Sequence, residues 1–498
     1  MTHPLLYEVN ARQWLARLSE NHGAALSLHQ VPDSELEVLQ KIGVTHLWLM
    51  GVWPTGEKSR AQALTHPDLR KAYSEALPDW TDADVLGSPY AVADLRVAES
   101  LGGDAGLAVF RAKLASFKIK LILDFVPNHL GLDHEWVSKR PELFVGAPSP
   151  FQDSFPSETS SHPRFIAHGK DPYFPGWTDT VQLEYRRVET REAMASLVLS
   201  LTKKCDGVRC DMAMLLLSEI FERTWAHVPF DGPCATGEFW QQAITSAKQA
   251  RPDFLFLAEA YWGLEGRLCD LGFDYAYDKS LYDFIVHDHP FNIQPHLLGL
   301  ANHNANRAHF LENHDEPRIS TEVPLDLHRA AVVLALGLPG MRFLHDGQLE
   351  GVRRFARVQL ARSAKEPIDT AIQSMYGPLL AAFSKSAVGQ GEGRILSPFA
   401  AWENNHSFRF FTIVLWRKPD SETHFDLVVV NMAQHPSQCR VHFNPTGLSG
   451  KTWQLTDRIG TEVWTRDGRE LAESGLFLDL PPRGAQLFAL APVSQPSR

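Results

Sequence analysis

Three carboxylates follow apolar runs in the middle of the chain, each where a buried strand is expected to end. Asp211 closes the block GVRCD, Glu259 lies within FLAEAYW, and Asp315 lies within FLENHDEPR. Burying an acidic side chain is costly unless the carboxylate has a partner or a chemical task. Taken singly, each would be interpreted as a cap or as half of a salt bridge. Because three occur at equivalent strand ends, we interpret them as one acid–base constellation.

The residues around the first two carboxylates indicate opposite chemical roles. Arg209 and Asp211 are two residues apart on one strand, so their side chains share a face. The guanidinium is expected to lower the pKa of Asp211 and keep this carboxyl ionised as a nucleophile. Apolar and aromatic neighbours of Glu259 are expected to raise its pKa, so that it stays protonated as a general acid. Two carboxyl groups with different pKa values, one protonated and one ionised, are what most glycoside hydrolases use for catalysis.

Two histidines lie close to these blocks. His314 directly precedes Asp315, and His129 follows the strand-end block DFVPN. Imidazole donors beside a third carboxylate would hold the hydroxyls of a sugar ring and favour its distorted form. A structural interpretation stays open for Asn313, whose amide would cap a turn, and for His129 as a single histidine.

Eight apolar runs, separated by amphipathic stretches, must position these side chains. The runs lie at 5–9, 45–50, 120–125, 206–211, 254–260, 273–278, 309–313 and 341–346. The amphipathic stretches include 104–118, 189–204, 214–228 and 236–250. Strands followed each time by a helix, and apolar on both faces, are typical of a parallel (β/α)8 barrel. The active sites of such barrels lie at the carboxyl ends of the strands, where the acids occur.

The chain divides into two predicted domains. We assign residues 1–390 to the barrel, including an insertion at 130–180 after the third strand, which is rich in Pro, Ser and aromatic residues. A second long connection, 51–90, is also expected to reach the barrel mouth. Short apolar or alternating runs bounded by turn residues predict an antiparallel β-sandwich at 391–498.

Composition excludes several classes of protein. The net charge of −11, without any Lys or Arg run, argues against a nucleic-acid partner. Five cysteines without a CxxC motif do not make a disulfide framework and fit a reducing compartment. The N-terminus lacks the pattern of a signal peptide, and no apolar run reaches membrane-spanning length. We therefore expect a soluble cytoplasmic protein.

The acidic blocks, in their order and intervals, resemble the conserved regions of the α-amylase family of retaining glycoside hydrolases. The resemblance covers nearly the whole chain and implies that Asp211 is the nucleophile and Glu259 the acid and base. It implies that Asp315 binds the hydroxyls of the distorted sugar. The other implied site residues either bind this sugar or support the site. The implied binding residues are Tyr90, His129, Arg209 and His314; the supporting residues are Asp124, Asn128, Asn313 and Arg318.

Two of these implied roles are more specific. Asp124 matches a carboxylate that supports the arginine, and Arg318 matches a residue that fixes its loop. Tyr90 in GSPYAVAD matches an aromatic side chain that stacks under the cleaved sugar. A tyrosine in a loop has many uses, so a role in the core stays open for Tyr90.

The chain departs from the family just after the nucleophile. Many members have a Lys-His pair there, which serves a leaving-group subsite and a calcium ion, whereas this chain has Met214 and Leu215. Neither side chain offers the oxygen ligands that calcium needs, and Asn128 alone makes a poor site. The resemblance therefore implies no calcium and no other cofactor, with leaving-group subsites more apolar than usual.

Several activities share this constellation. The leading hypothesis is hydrolysis of α-1,4 bonds in maltooligosaccharides or related α-glucans, through a covalent intermediate. A transglycosylase or a sugar phosphorylase would use the same residues with another acceptor. A non-catalytic carbohydrate-binding relative is disfavoured by the intact acids. A metal-dependent hydrolase is disfavoured because no H-E-x-x-H motif occurs.

Overall fold

A computed structural model describes most of the chain, and for residues 301 and 302 it describes the backbone only. The described residues are 3–157, 165–419, 421, 423–443 and 448–493. Parts of the predicted insertion and of the predicted C-terminal domain, including 158–164, 444–447 and 494–498, therefore lie outside the described residues. Within the described ranges, no helix is long and apolar enough to cross a membrane.

Eight parallel strands close into a barrel in which each strand pairs with its neighbours in sequence and the last pairs with the first. The strands are β1 Leu5–Asn10, β2 His46–Met50, β3 Lys120–Phe125, β4 Gly207–Cys210, β5 Leu255–Ala258, β6 Tyr275–Tyr277, β7 Arg307–His309 and β8 Met341–His345. The predicted (β/α)8 fold is confirmed. Strand β7 ends at His309, whereas the sequence predicted a strand at 309–313. The apolar residues Phe310 and Leu311, which contributed to that prediction, are buried in the loop after the strand.

Helices follow every barrel strand. The helices of the chain are α1 Ala11–His22, α2 Asp33–Lys41, α3 Glu57–Thr65, α4 Pro67–Ala76, α5 Gly103–Ser116, α6 Glu135–Lys139, α7 Val188–Lys204, α8 Ser218–Trp225, α9 Phe239–Ala250, α10 Glu265–Asp270, α11 Lys279–Val286, α12 Pro290–Gly299, α13 Ile319–Glu322, α14 Leu325–Gly337, α15 Thr370–Ser384 and α16 Gly468–Ser474. Of these, α6 lies in the insertion and α16 in the C-terminal part. Helix α1 begins directly at the end of β1, where the side chain of Asn10 accepts hydrogen bonds from the backbone of Arg12 and Gln13.

The insertion after β3 is built from short strands. One antiparallel pair joins His129–Gly131 to Thr180–Gln182, and a three-stranded sheet contains Gly146–Ala147, Ser154–Pro156 and Phe165–Ala167. The first pair begins four residues after β3 ends, so it holds the insertion over the carboxyl end of the barrel.

Two antiparallel sheets form the C-terminal part of the chain. Their strands are β9 Glu392–Leu396, β10 Phe411–Arg417, β11 Phe425–Asn431, β12 Ser437–Val441, β13 Thr452–Asp457, β14 Val463–Asp467, β15 Leu476–Leu480 and β16 Ala485–Pro492. A six-stranded sheet has the order β9-β10-β11-β16-β13-β14, and β12 pairs with β15. Side chains from both sheets share one apolar core, which is the predicted sandwich.

The outer face of the six-stranded sheet packs on α14. The indole of Trp416 donates a hydrogen bond of 2.8 Å to the carbonyl of Gly337, at the end of this helix. A side chain at Gly337 would collide with Val428, so glycine permits the close approach of helix and sheet. This contact explains why α14 is apolar on nearly all faces, since barrel and sheet cover opposite sides of it.

Candidate active site

The side chain of Arg209 lies fully buried at the carboxyl end of the barrel. Its Nη1 lies 2.7 Å from Oδ1 of Asp211, and its Nη2 lies 2.8 Å from Oε2 of Glu259. The same Nη2 is 3.9 Å from Oδ2 of Asp315. The three acids follow β4, β5 and β7, whose carboxyl ends meet because all barrel strands are parallel. One guanidinium therefore gathers the three carboxylates that the sequence singled out.

Burial dominates the protonation of the two innermost acids. Desolvation raises the pKa of Asp211, and the ion pair with Arg209 opposes this rise without reversing it. The expectation that Arg209 would lower this pKa below its ordinary value is therefore wrong. Burial also raises the pKa of Glu259, to about 7, against the opposing charge of Arg209. Glu259 is thus half protonated near neutral pH.

Glu259 is surrounded by donors as well as by apolar side chains. The hydroxyl of Tyr261 donates to its Oε1 at 2.8 Å, and the backbone N–H of Met212 donates to its Oε2 at 2.6 Å. Met212 reaches this position in the left-handed conformation, with a φ of 43°. A non-glycine residue in this conformation is strained, and such strain is common where the backbone must present a functional group.

A chain of hydrogen bonds connects Asp315 to the barrel interior. Glu8 of β1 is wholly buried, and its Oε1 lies 2.5 Å from Nδ1 of His314. The other ring nitrogen of His314 lies 3.0 Å from Oδ2 of Asp315 and 2.7 Å from the hydroxyl of Tyr90. Burial would lower the pKa of His314, but the two carboxylates raise it well above its ordinary value. The imidazole is therefore held as a cation between Glu8 and Asp315.

Asp315 differs from the other two acids in exposure and in charge. Its side chain is 44% exposed, whereas those of Asp211 and Glu259 are 9% and 4% exposed. Burial of its carboxyl would raise the pKa of Asp315, yet the charge on His314 holds it below the ordinary value. Asp315 is thus an ionised carboxylate that faces the open side of the site.

Aromatic rings surround the guanidinium of Arg209. Its central carbon lies 5.2 Å from the ring centre of Trp48, 5.3 Å from that of Tyr90 and 5.8 Å from that of Tyr277. The ring of Tyr90 also stacks on His314, with the ring centres 5.4 Å apart. Tyr90 is therefore part of this site and not a distant core residue.

Asp124 contacts the site through Trp48. Its carboxylate accepts hydrogen bonds from the Trp48 indole at 3.1 Å and from the backbone N–H of Gly51 at 3.0 Å. Arg209 is the residue beside it on β4. Burial raises the pKa of Asp124 to about 6. Asp124 therefore orients an aromatic ring that covers the guanidinium.

Asn128 ties β3 to the insertion. The side-chain amide of Gln182 donates to Oδ1 of Asn128 at 3.0 Å and to its carbonyl at 2.8 Å, and the Asn128 amide donates back at 3.2 Å. The ring of the adjacent His129 lies 5.1 Å from that of Trp177 in the insertion. Burial lowers the pKa of His129 to about 4, so its imidazole is neutral at physiological pH.

Asn313 and Arg318 hold the loop after β7. The side chain of Asn313 accepts hydrogen bonds from the backbone of Asp315 at 2.9 Å and of Glu316 at 3.0 Å. Arg318 donates to Glu312 at 2.7 Å and to the carbonyl of Asp346 at 2.7 Å. These contacts fix the conformation in which Asp315 and His314 are presented.

Met214 and Leu215 belong to the core and not to the surface of the site. They lie in a short 3-10 turn, Ala213–Leu216, and are 0% and 3% exposed. The family resemblance implied leaving-group subsites more apolar than usual, because these two residues replace a Lys-His pair. As placed, neither offers surface to a sugar, so that expectation is wrong for these two residues.

An exposed aromatic side chain follows Glu259 in the chain and contacts another in the insertion. Trp262 lies three residues after Glu259 and is 41% exposed; it reaches this position with a φ of 65°. Its ring makes an edge contact with that of Tyr173 from the insertion, with ring centres 5.1 Å apart. Tyr173 and the adjacent Phe174 are themselves exposed. We call Tyr173, Phe174 and Trp262 the rim aromatics.

Sequence reasoning missed Glu8, Tyr277 and the rim aromatics as site residues. Glu8 lies 306 positions before its partner His314, and no motif marks it. Tyr277 lies in the predicted strand 273–278, and nothing in that run indicates that its hydroxyl lies 3.3 Å from Nε of Arg209. A polar residue in the run LLYEVN is the one signal that would have indicated Glu8, because a buried carboxylate needs a partner.

Comparisons with known proteins address the family. The family model for the α-amylase catalytic domain matches residues 33–377. Alpha-amylase 3 of Dictyoglomus thermophilum is 20% identical over 338 residues, which are 64% of this chain and 59% of that relative. The match therefore spans less than two thirds of the curated relative.

Solved structures share the fold over nearly the whole chain. A maltogenic α-amylase from Thermotoga neapolitana is 19% identical, covers 98% of both chains and superposes with a TM-score of 0.66. A debranching enzyme from Nostoc punctiforme is 15% identical, with the same coverage and a TM-score of 0.63. These identities support the fold alone. Because the family model matches well over half of its length, the chain belongs to the α-amylase family.

Proposed function

We propose that this protein is a retaining glycoside hydrolase that cleaves α-1,4-glucosidic bonds in maltooligosaccharides or related α-glucans. The observation that carries the proposal is the Arg209 guanidinium, which binds both Asp211 and Glu259. Retaining enzymes need two carboxyl groups about 5–5.5 Å apart. The shared guanidinium brings the carboxyl groups of Asp211 and Glu259 close together, which supports such a mechanism. The matched family model and the amylase relative support an α-glucan as the substrate.

In the first step, ionised Asp211 attacks the anomeric carbon while protonated Glu259 gives its proton to the glycosidic oxygen. The bond to the leaving sugar breaks, and a β-glycosyl ester forms on Asp211. The Arg209 guanidinium and the Tyr261 hydroxyl then stabilise the carboxylate left on Glu259. In the second step, Glu259 takes a proton from water, whose oxygen displaces Asp211. Two inversions retain the α configuration.

Asp315 and His314 would bind the hydroxyls of the sugar during both steps. The exposed carboxylate of Asp315 would accept hydrogen bonds from ring hydroxyls, which strengthen as the ring flattens toward the oxocarbenium shape. The charged ring of His314 would donate from the nitrogen that now contacts Tyr90 and Asp315. The ring of Tyr90 offers a stacking surface beneath the same sugar. These contacts favour the transition state over the relaxed substrate.

No metal ion enters this proposal. Both oxygens of Asn128 accept hydrogen bonds from the Gln182 amide, so they are already used. The buried Met214 and Leu215 offer no side-chain oxygen. Among the described residues, no group of three or more His, Cys, Asp or Glu side chains is arranged to hold an ion.

The rim aromatics favour a second candidate function, which is sugar transfer. Trp262 is exposed and follows Glu259, the acid that protonates the leaving group. The rim aromatics would therefore hold a sugar on the leaving-group side. A sugar that stays bound there can intercept the covalent intermediate before water does. Transglycosylation onto an oligosaccharide acceptor is therefore the alternative activity that this site supports.

Product analysis tests the proposal. The purified protein is incubated with maltopentaose, and the products are separated by length and assigned an anomeric configuration by NMR. Hydrolysis gives only shorter sugars, whose new reducing end is first α; transfer also gives longer ones. New β anomers would contradict retention. The absence of any product from maltopentaose, maltoheptaose and a branched glucan would contradict the activity itself.

A further inference from the structure

A cavity of about 550 Å³ lies at the end of the barrel opposite to the carboxylates. Its lining includes Leu5, His46 and Lys120, which are the first residues of β1, β2 and β3. The three acids instead follow the carboxyl ends of their strands. Substrate bound at the acids would therefore not reach this cavity, and the cavity is not part of the candidate active site.

The charged lining of this cavity is cationic, although the chain as a whole carries a net charge of −11. The cations are Arg342, Lys41, Lys118 and Lys120. Lys120 lies 3.4 Å from a carboxylate oxygen of Asp253, and both side chains are about half exposed. Within the described part of the chain, no Asp or Glu lines the cavity, and Lys41 and Lys118 form no ion pair. The cavity therefore has an excess of positive charge.

Arg342 is the cation that most needs a partner. Its Nη2 donates one hydrogen bond of 3.1 Å to the carbonyl of His3, and its Nε is buried without a hydrogen-bond partner among the described residues. Burial lowers the pKa of Arg342 to about 10, and no carboxylate opposes that effect. A guanidinium that is partly buried in this way is ordinarily paired with an anion, because desolvating an unpaired charge is costly.

The backbone makes room for this guanidinium. Gly389 has a φ of 76°, and a Cβ at this position would lie 2.3 Å from Nη2 of Arg342. A side chain is thus excluded at this position beside the cation. The apolar wall of the cavity contains Leu380, Phe383 and Val388. The cavity therefore combines cationic side chains with an apolar wall.

We propose that this cavity is a binding site for a phosphoryl group, supplied either as free phosphate or by a small phosphorylated sugar. The edge of a guanidinium fits two oxygens of a phosphoryl group, and the lysines add charge at its rim. The volume exceeds what phosphate alone needs, so a sugar ring can lie against the apolar wall. A rival explanation needs no ligand: Lys41 and Lys118 end or follow α2 and α5, where cations stabilise the helix dipole.

Calorimetric titration of the full-length protein distinguishes these explanations. Inorganic phosphate, glucose 6-phosphate and glucose are titrated separately at constant ionic strength. We expect one saturable site for a phosphoryl ligand and none for glucose. Tighter binding of glucose 6-phosphate would identify a phosphorylated sugar as the ligand, and equal binding would identify free phosphate. The proposal would be overturned if neither phosphate nor glucose 6-phosphate showed saturable binding up to about 10 mM. A Kd of about 10 mM corresponds to a binding free energy of roughly −3 kcal/mol.

Variants locate the site. Arg342→Gln is expected to weaken phosphoryl binding at least about tenfold, which is the loss of one charge-assisted hydrogen bond. Because Arg342 is partly buried, the exposed pair Lys41→Ala and Lys118→Ala serves as a second variant, with an expected loss of about threefold or more. Lys451→Ala, an exposed lysine of the C-terminal domain, is the matched control. Binding that is unchanged in both cavity variants would overturn the proposal, and so would equal weakening in the control.

Discussion

At the scale of single residues, one buried arginine sets the character of the site. Arg209 binds two carboxylates that desolvation would otherwise protonate, and it is covered by Trp48, Tyr90 and Tyr277. The aromatic cover removes water and strengthens these ion pairs. Arg209 therefore lets Asp211 ionise in a buried place while Glu259 keeps a pKa near 7.

Glu8 is expected to act as a positioning residue for His314. The substitution Glu8→Gln removes the charge behind the imidazole, so the pKa of His314 should fall and its hold on Asp315 should weaken. Losing one charge-assisted hydrogen bond costs about 1.5–3 kcal/mol, which is about 10- to 100-fold in kcat/KM. Steady-state kinetics across pH measures both effects.

A merely structural role for Glu8 predicts a different outcome. In that case the variant would lose thermal stability while its kcat/KM and its pH profile stayed those of the wild type. Glu37→Gln, an exposed carboxylate on α2, is the control for loss of one negative charge.

The pH profile of kcat/KM should follow the two inner acids. Glu259 must be protonated to act, so activity is present below its pKa and is lost as the pH rises through about 7. Asp211 must be ionised, so activity falls at acidic pH, with a midpoint above the ordinary aspartate range because burial raises this pKa. A profile without an alkaline limb between about pH 6 and 8 would contradict the assignment of Glu259 as the acid.

At the scale of elements, the parallel barrel brings together residues that are distant in sequence. The strands were predictable because they are short apolar runs between amphipathic helices, and most of their bounds agree within two residues. The C-terminal sandwich was predictable from short apolar or alternating runs, although polar residues interrupt this pattern in the strands Glu392–Leu396 and Val463–Asp467.

The candidate site was predictable only where it lies in a motif. The blocks around Asp211, Glu259 and Asp315 carry their own signal, since each places an acid at the end of an apolar run. The bond from Glu8 to His314 and the contact between Tyr173 and Trp262 depend on how β1 and the insertion meet the other loops. Local sequence contains no information on such contacts, so no spacing rule would have found them.

The rim aromatics yield a prediction at this scale. Trp262→Ala removes a ring that would stack on a sugar of the leaving group, a contact of about 0.5–1.5 kcal/mol. We expect KM for maltoheptaose to rise about 2- to 10-fold, and the ratio of transfer to hydrolysis to fall. Trp402→Ala, which removes another exposed indole from the C-terminal part, is the matched control. Equal effects of the two substitutions would refute a role of the rim in substrate binding.

At the scale of the whole molecule, the barrel, the insertion and the C-terminal sandwich form one packed body. The insertion is tied to β3 by the reciprocal amides of Asn128 and Gln182, and the sandwich packs on α14 through Trp416. Hydrogen bonds between neutral groups thus hold the insertion over the site.

This arrangement predicts that the protein does not depend on calcium. Incubation with EDTA, followed by removal of the chelator, should leave the Tm and the rate of maltopentaose cleavage unchanged. Added calcium should restore nothing, because nothing was lost. A fall of several degrees in Tm that calcium reverses would show that an ion stabilises the fold and would overturn this expectation.

The central claim is that Asp211 forms a covalent bond to the sugar. Glu259→Gln protein is incubated with α-maltosyl fluoride, whose leaving group needs no acid, and the digested protein is analysed by mass spectrometry. Without Glu259 the second step is slow, so the account predicts a maltosyl adduct on the peptide that contains Asp211. The double variant with Asp211→Asn should carry none. An adduct on another residue, or rapid turnover of the fluoride by that double variant, would contradict the account.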